Sequence, residues 1–122
     1  MAKPRIDTQR GRDAVRAVAD SAGGQDASRD DTATAVRYLL QCLVEKIPGH
    51  TVEVRVPPYG AVQCVEGAQH TRGTPPNVIE IDSLTWLKLA TGEITWAAAL
   101  AAGHIHASGI RADISHVLPL RY

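Results

Sequence analysis

The strongest constraint on the fold is a change in the spacing of apolar residues near position 50. Before it, apolar side chains recur at the spacing of one helix face, at Val36, Leu39, Leu40, Leu43, Val44 and Ile47. After Pro48-Gly49, the residues Val52, Val54 and Val56 alternate with polar ones, as in a strand with one buried face. This change of spacing favours a helix that packs on a sheet over a helix whose apolar face binds a partner.

The segment VEVRVPPYGAVQCVEG, residues 52–67, is typical of a β-hairpin. Residues 61–66 supply the second strand, and Pro58 is predicted at position i+1 of a type I turn, followed by Tyr59 and Gly60. Pro57 cannot donate to a sheet, so it belongs at the end of the first strand. Backbone geometry explains the prolines and the glycine, and only the Tyr59 ring remains as a candidate functional group.

The second half of the chain is predicted to alternate strands with short helices. A strand covers 77–82, and a helix capped by Asp82 or Ser83 ends at Gly92. Thr95 caps an alanine-rich helix that ends at Gly103. A last strand covers 104–108, and a short helix capped by Asp113 ends before Pro119.

The first 31 residues differ from the rest because they are polar. They hold a weak helix capped by Asp7 or Thr8, followed by a linker-like stretch over 21–30 that has little to bury. The predicted organisation is therefore a polar N-terminal segment, 1–31, with a flexible linker, and one folded domain, 32–122. A chain of 122 residues is typical of a single core.

Composition excludes several classes of function. The 13 basic and 13 acidic side chains cancel, so we expect no nucleic-acid partner. The chain has no apolar run near the ~20 residues that span a bilayer, so we expect no transmembrane segment. Cys42 and Cys64 form no metal-binding pair and are interpreted as reduced thiols of a cytoplasmic protein.

One stretch resembles a known family. The run LATGEITWAAALAAGHIHASGIRADISHVLPL, residues 89–120, is similar to the closing half of the sterol carrier protein type 2 superfamily, with matches at Gly92, Thr95, Ala98, Gly103 and Gly109. More widely, residues 52–120 resemble small stand-alone bacterial sterol carrier family proteins. The resemblance implies an α+β fold of the SCP-like type. Its mainly antiparallel sheet of about five strands has helices packed on one face and encloses an apolar tunnel for fatty acyl chains or sterols.

Periodicity and resemblance together predict a non-catalytic binding or carrier protein for a small hydrophobic or amphipathic ligand such as a lipid, with no cofactor. Each predicted wall of the ligand cavity has plain core as its alternative reading. The predicted walls are Val54, Val56, Val62, Cys64, Leu87, Trp96, Leu100, Ile114 and Leu118.

Polar residues near the second Pro-Pro pair form a candidate anion site. His70, Arg72, Thr74 and Asn77 are rich in donors, and Tyr59 and Gln63 join them if the hairpin folds beside this loop. The alternative is a loop whose side chains satisfy its own backbone.

His104 and His106 share one face of a strand, with His116 or Asp113 as a conceivable third ligand, but an exposed strand surface explains them as well. We therefore predict no metal site. No pattern of a nucleophile with its base appears, so we expect no enzyme.

Two other functions stay open. One is a protein-interaction or regulatory module whose tunnel is filled, with a protein partner or a homodimer. The other is a binder of a small anionic metabolite through the loop of His70 and Arg72.

Overall fold

The computed structural model describes residues 4–21, 24–67 and 77–122, which form an α+β fold. Its helices are α1 (Thr8–Ala19), α2 (Arg29–Lys46), α3 (Ser83–Thr91) and α4 (Trp96–Ala101). Its strands are β1 (Val52–Val56), β2 (Gly60–Cys64), β3 (Asn77–Ile81) and β4 (Ile105–Ser108). A single 3₁₀ turn, Ser115–Val117, stands where the short last helix was predicted.

Three of the four described helices begin at a residue that the sequence had indicated, and α2 begins after Ser28. Asp7, Ser28, Asp82 and Thr95 are the N-caps, and each side-chain oxygen accepts a hydrogen bond from a main-chain N–H in the first turn. Gly92 ends α3 with φ of 83°, a left-handed conformation that favours glycine. Local chemistry therefore fixes these helix ends.

The sheet is mixed and has four described strands in the order β2-β1-β3-β4. The pairs β1–β2 and β3–β4 are antiparallel, but β1 and β3 are parallel. The expectation of a mainly antiparallel sheet of about five strands is therefore wrong for the described residues. Val52 lies opposite both Cys64 and Asn77, so β2 ends where β3 begins.

The predicted hairpin turn is displaced by one residue. The Pro57–Pro58 peptide bond is cis, and the Tyr59 N–H donates to the Val56 carbonyl at 2.9 Å. The turn is therefore centred on the two prolines and not on Pro58 and Tyr59, because the hydrogen bond that closes it starts at Tyr59.

One face of the sheet is buried under the helices. Val54 and Ile79 pair across β1 and β3 and have no exposed surface, and they share one apolar cluster with Leu39 of α2 and Trp86 of α3. The Trp86 indole N–H donates to the Val36 carbonyl at 3.3 Å, so the ring is buried with its polar group satisfied. Each such side chain stabilises the fold by about 1.5–3 kcal/mol through burial.

The opposite face of the sheet is polar and partly exposed. On β1, the Arg55 guanidinium lies 2.8 Å from the Glu53 carboxylate. The Gln63 side chain on β2 is hydrogen-bonded to the His50 ring at 2.9 Å. This pattern gives a layered molecule with helices against one side of the sheet.

Helix α1 is held against α2 by two different contacts. Gly11 lies against the ring of the buried Tyr38, where a Cβ atom would overlap the ring. The Gln41 amide forms hydrogen bonds of 2.9 Å with both the N–H and the carbonyl of Ile6. The helix also buries Val15 and Val18 in the common core. The division into 1–31 and 32–122 nevertheless stays a prediction.

Within the described parts of the chain, every helix is too short or too polar to cross a lipid bilayer.

Candidate ligand site

The predicted cavity walls are tightly packed. Val54, Val56, Cys64 and Ile114 have 0% exposed surface. A side chain with no accessible surface borders no space as large as a water molecule, so an acyl chain reaches these residues only if the sheet and the helices separate.

The other predicted walls are more varied. Leu87 and Trp96 are 6% and 9% exposed, Val62 and Leu118 are partly buried against the core, and Leu100 on α4 is 47% exposed. The wall assignment stays a prediction, and the structure places its members in a closed interior and on the surface around it.

Three residues of the predicted polar cluster, His70, Arg72 and Thr74, lie outside the described residues. The other three are hydrogen-bonded within the fold. Asn77 is 3% exposed; its amide NH₂ donates to the Thr51 carbonyl at 3.1 Å, and its amide oxygen accepts from the Arg111 N–H at 2.9 Å. Both ends of this side chain are used, so Asn77 joins the starts of β1 and β3 to the segment after β4.

Tyr59 and Gln63 also have structural contacts. The Arg37 guanidinium donates to the Tyr59 carbonyl at 2.8 Å, which connects the hairpin turn to α2. Gln63 contacts His50 on the polar face of the sheet, as described above. The Tyr59 ring is partly buried and packs against the core.

A surface groove that was not predicted from the sequence lies between α1 and α3. We call it the α1–α3 groove. Helix α1 lines it with Arg12, Val15, Arg16, Val18 and Ala19, and α3 with Leu84, Leu87, Lys88 and Thr91. Gly92, Glu93 and Tyr122 complete it. An open part of about 470 Å³ continues into a deeper recess of about 40 Å³.

Helical spacing explains why the groove is amphipathic. Positions 12, 15, 16 and 19 of α1 and positions 84, 87, 88 and 91 of α3 each form one face of a helix. On α1, two basic residues alternate with two apolar ones, whereas on α3 two leucines are followed by Lys88 and Thr91. The apolar stripe of α1 was visible in the sequence, but its partner helix was not, because no local pattern reports which helices become neighbours.

The two helices run antiparallel, so the ends of the groove differ. At one end, the Arg12 guanidinium donates to the main-chain oxygen of Tyr122 at 2.9 Å. At the other end, Val18 lies near Leu84, and Gly24 with φ of 96° approaches both. A Cβ atom on Gly24 would overlap Leu84 and lie 3.3 Å from Val18, so Gly24 and two apolar side chains lie together at this end.

The charged side chains of the groove are largely unpaired. Arg16, Lys88 and Glu93 make no side-chain hydrogen bond or ion pair with any residue in the described ranges. With Arg12, these groups give the groove an excess of positive charge.

The two cysteines are unsuited to nucleophilic chemistry. Burial raises the pKa of Cys64 to about 11. Burial also raises the pKa of Cys42, against the opposing effect of its hydrogen bond with Tyr38. Both thiols therefore stay protonated at neutral pH, and a protonated thiol is a poor nucleophile.

No group of three or more His, Cys, Asp or Glu side chains suited to a metal ion occurs among the residues that the structure describes. His104 and His106 are both exposed at the β4 end of the sheet.

The structure is that of a small α+β domain with a helix-covered sheet and an apolar interior. The model of the family described as "Bacterial SCP ortholog" matches residues 28–120. Since this range is most of the chain, the protein belongs to this family of sterol carrier protein orthologues, and the predicted resemblance is confirmed. The match starts at the N-cap of α2, so α1 lies outside it. A comparison with curated proteins finds no match.

Proposed function

We propose that the protein is a non-catalytic carrier that holds a small hydrophobic or amphipathic ligand in the α1–α3 groove. Membership of a sterol-carrier-like family supports the carrier class at a coarse level. The observation that carries the choice of site is the apolar floor of the groove, where Leu84 and Ala19 keep exposed surface while Val15 and Leu87 close the bottom.

Energetics favour the groove over the interior. To enter between the sheet and α2, a ligand must displace contacts among side chains such as Val54 and Leu39, which have no exposed surface. Each such side chain stabilises the closed state by about 1.5–3 kcal/mol, so opening several of them costs more than a small ligand regains. The groove is open to solvent already, so the same ligand binds there without this cost.

The test is a substitution that fills the groove with a bulky side chain. Ala19→Trp places an indole over the groove floor from an exposed position of α1, and Ala97→Trp makes the same change at an exposed position of α4 as the matched control. With ¹⁵N-labelled protein titrated with octanol, we expect amide shifts at residues of the α1–α3 groove. Ala19→Trp abolishes them and Ala97→Trp preserves them.

Two results would contradict this assignment. Octanol shifts centred on Val54, Val56 and Ile114 and unaffected by Ala19→Trp would place the ligand between the layers, as the sequence predicted. If octanol produces no saturable shift at concentrations up to its solubility, the carrier hypothesis fails.

The second candidate function is a protein-interaction or regulatory module. The lack of exposed surface at Val54, Val56, Cys64 and Ile114 supports it, because these four side chains border no space for a guest. It predicts one stoichiometric protein partner, or a second copy of the chain, in a pull-down followed by native mass spectrometry, with no lipid bound. Recovery of the protein with lipid and without a partner counts against it.

A small anionic metabolite held by His70 and Arg72 stays a separate prediction. It requires Arg72→Ala to abolish a ligand-induced thermal shift.

A further inference from the structure

We infer that the α1–α3 groove selects a ligand with an anionic head group, a carboxylate or a phosphate monoester, and a short apolar part of about five to eight carbons. This inference rests on the proposed function and specifies the ligand of the same site. It concerns a surface that α1 builds from outside the range of the family match.

The charge of the groove determines which kind of head group the ligand carries. Arg16 on α1 lines the open part of the groove and Lys88 on α3 lines the recess, and neither side chain is paired with a described residue. Arg12 adds a third cation, although its Nε–H already donates to Tyr122. Cationic side chains beside an apolar floor complement an anion and repel a cation.

Glu93 opposes this preference from the same groove. Its carboxylate makes no described side-chain contact, and it repels an anionic head group. The inference therefore makes a prediction of opposite sign: Glu93→Gln tightens the binding of an anion, whereas Arg16→Gln and Lys88→Gln weaken it. A purely apolar site would respond to none of these changes.

The length of the floor sets the size of the apolar part. From Leu84 to Lys88 the axis of α3 rises by about 6 Å, and from Leu84 to Thr91 by about 10 Å. An extended alkyl chain of about five to eight carbons covers these distances. The recess of about 40 Å³ between Val18 and Leu84 takes only the tip of such a chain, since one water alone occupies about 30 Å³ in the liquid.

The experiment measures Kd for four probes by ¹⁵N-detected NMR titration of the full chain. Octanoate and octyl phosphate carry the anion, octanol lacks it, and dodecanoate extends the chain. We expect both octyl anions to bind about tenfold more tightly than octanol, as one charge-assisted contact allows. Arg16→Gln or Lys88→Gln should remove that factor and leave the Kd of octanol unchanged. Arg10→Gln, an equal loss of charge on α1 outside the groove, is the matched control.

The outcomes separate this inference from the proposed function. If octanol and both anions bind with equal Kd, or if Arg10→Gln weakens octanoate as much as Arg16→Gln, the head-group preference is wrong and the carrier function stands. If dodecanoate binds more than about tenfold tighter than octanoate, the limit on length is wrong, since each buried methylene gives about fourfold. If neither octanol nor octanoate binds, the proposed function fails, and the inference fails with it.

Discussion

Gly11 is the residue on which the docking of α1 depends most directly. It lies against the ring of Tyr38, and a Cβ atom added there would overlap three ring carbons. Tyr38 is 3% exposed, so the ring has little space into which it can retreat. We expect Gly11→Ala to push α1 away from α2 and to deform the wall of the α1–α3 groove.

The magnitude follows from two opposing effects. Alanine in place of glycine favours a helix by about 1 kcal/mol. Overpacking of a buried contact costs about 1–3 kcal/mol, and the overlap with the Tyr38 ring indicates the upper part of that range. The steric cost is larger, so we expect a net loss of about 1–2 kcal/mol in the free energy of unfolding.

The assay is urea unfolding followed by the fluorescence of Trp86 and Trp96, with amide hydrogen exchange of α1 measured in parallel. Gly60→Ala is the matched control, because a Cβ there would lie 3.5 Å from Leu40 and 3.7 Å from Arg37, which is ordinary contact. We expect this control to be neutral or slightly stabilising. If Gly11→Ala is as stable as the unchanged protein and protects α1 equally, the reasoning is refuted.

Three further predictions concern other contacts. Gln41→Leu removes both hydrogen bonds to Ile6 and should speed amide exchange of residues 5–10 by about tenfold, while an unchanged rate would show that the bonds do not hold the segment. Burial raises the pKa of Asp82, but hydrogen bonds from Thr85 and the charge of His104 together bring it below its usual value. The Asp82 carboxylate therefore stabilises the fold above its unfolded pKa of about 3.9, and this contribution is lost as the pH falls through the folded pKa. The variant Asp82→Asn keeps a capping side chain but lacks the titrating carboxylate. Its denaturant midpoint should therefore fall less steeply with decreasing pH than that of the unchanged protein. Parallel plots of midpoint against pH for the two proteins would contradict this. Trp86→Phe breaks the bond to Val36 and leaves space in the core, so its unfolding free energy should fall by about 1–3 kcal/mol, and an equal unfolding midpoint would oppose that role.

Much of the secondary structure was predictable because its determinants are local. The apolar spacing of α2, the alternation of β1 and the caps Asp82 and Thr95 each lie within a few residues of the element that they define. The predicted position of the hairpin turn was wrong by one residue, because two prolines and a glycine fit more than one turn geometry. The local sequence therefore accounts both for the correct predictions and for this error.

The features that could not be predicted from the sequence depend on contacts between residues far apart in the chain. The parallel pairing of β3 with β1, rather than with β2, joins residues about 25 positions apart in the chain. The α1–α3 groove joins residues about 70 positions apart and needs the antiparallel approach of two helices. The closed state of the interior is also a property of packing, since the same apolar pattern is compatible with a cavity or a filled core.

The one-sided arrangement of the sheet has a consequence for engineering. The face with Glu53, Arg55 and Gln63 is separated by the sheet and the apolar core from Arg16 and Lys88. Effects of substitutions on stability usually add when the sites are more than about 7–10 Å apart and share no partner. Reporter groups can therefore be attached to the polar face of the sheet and combined with substitutions near α1. Each change should then have the same effect on the free energy of unfolding as it has alone.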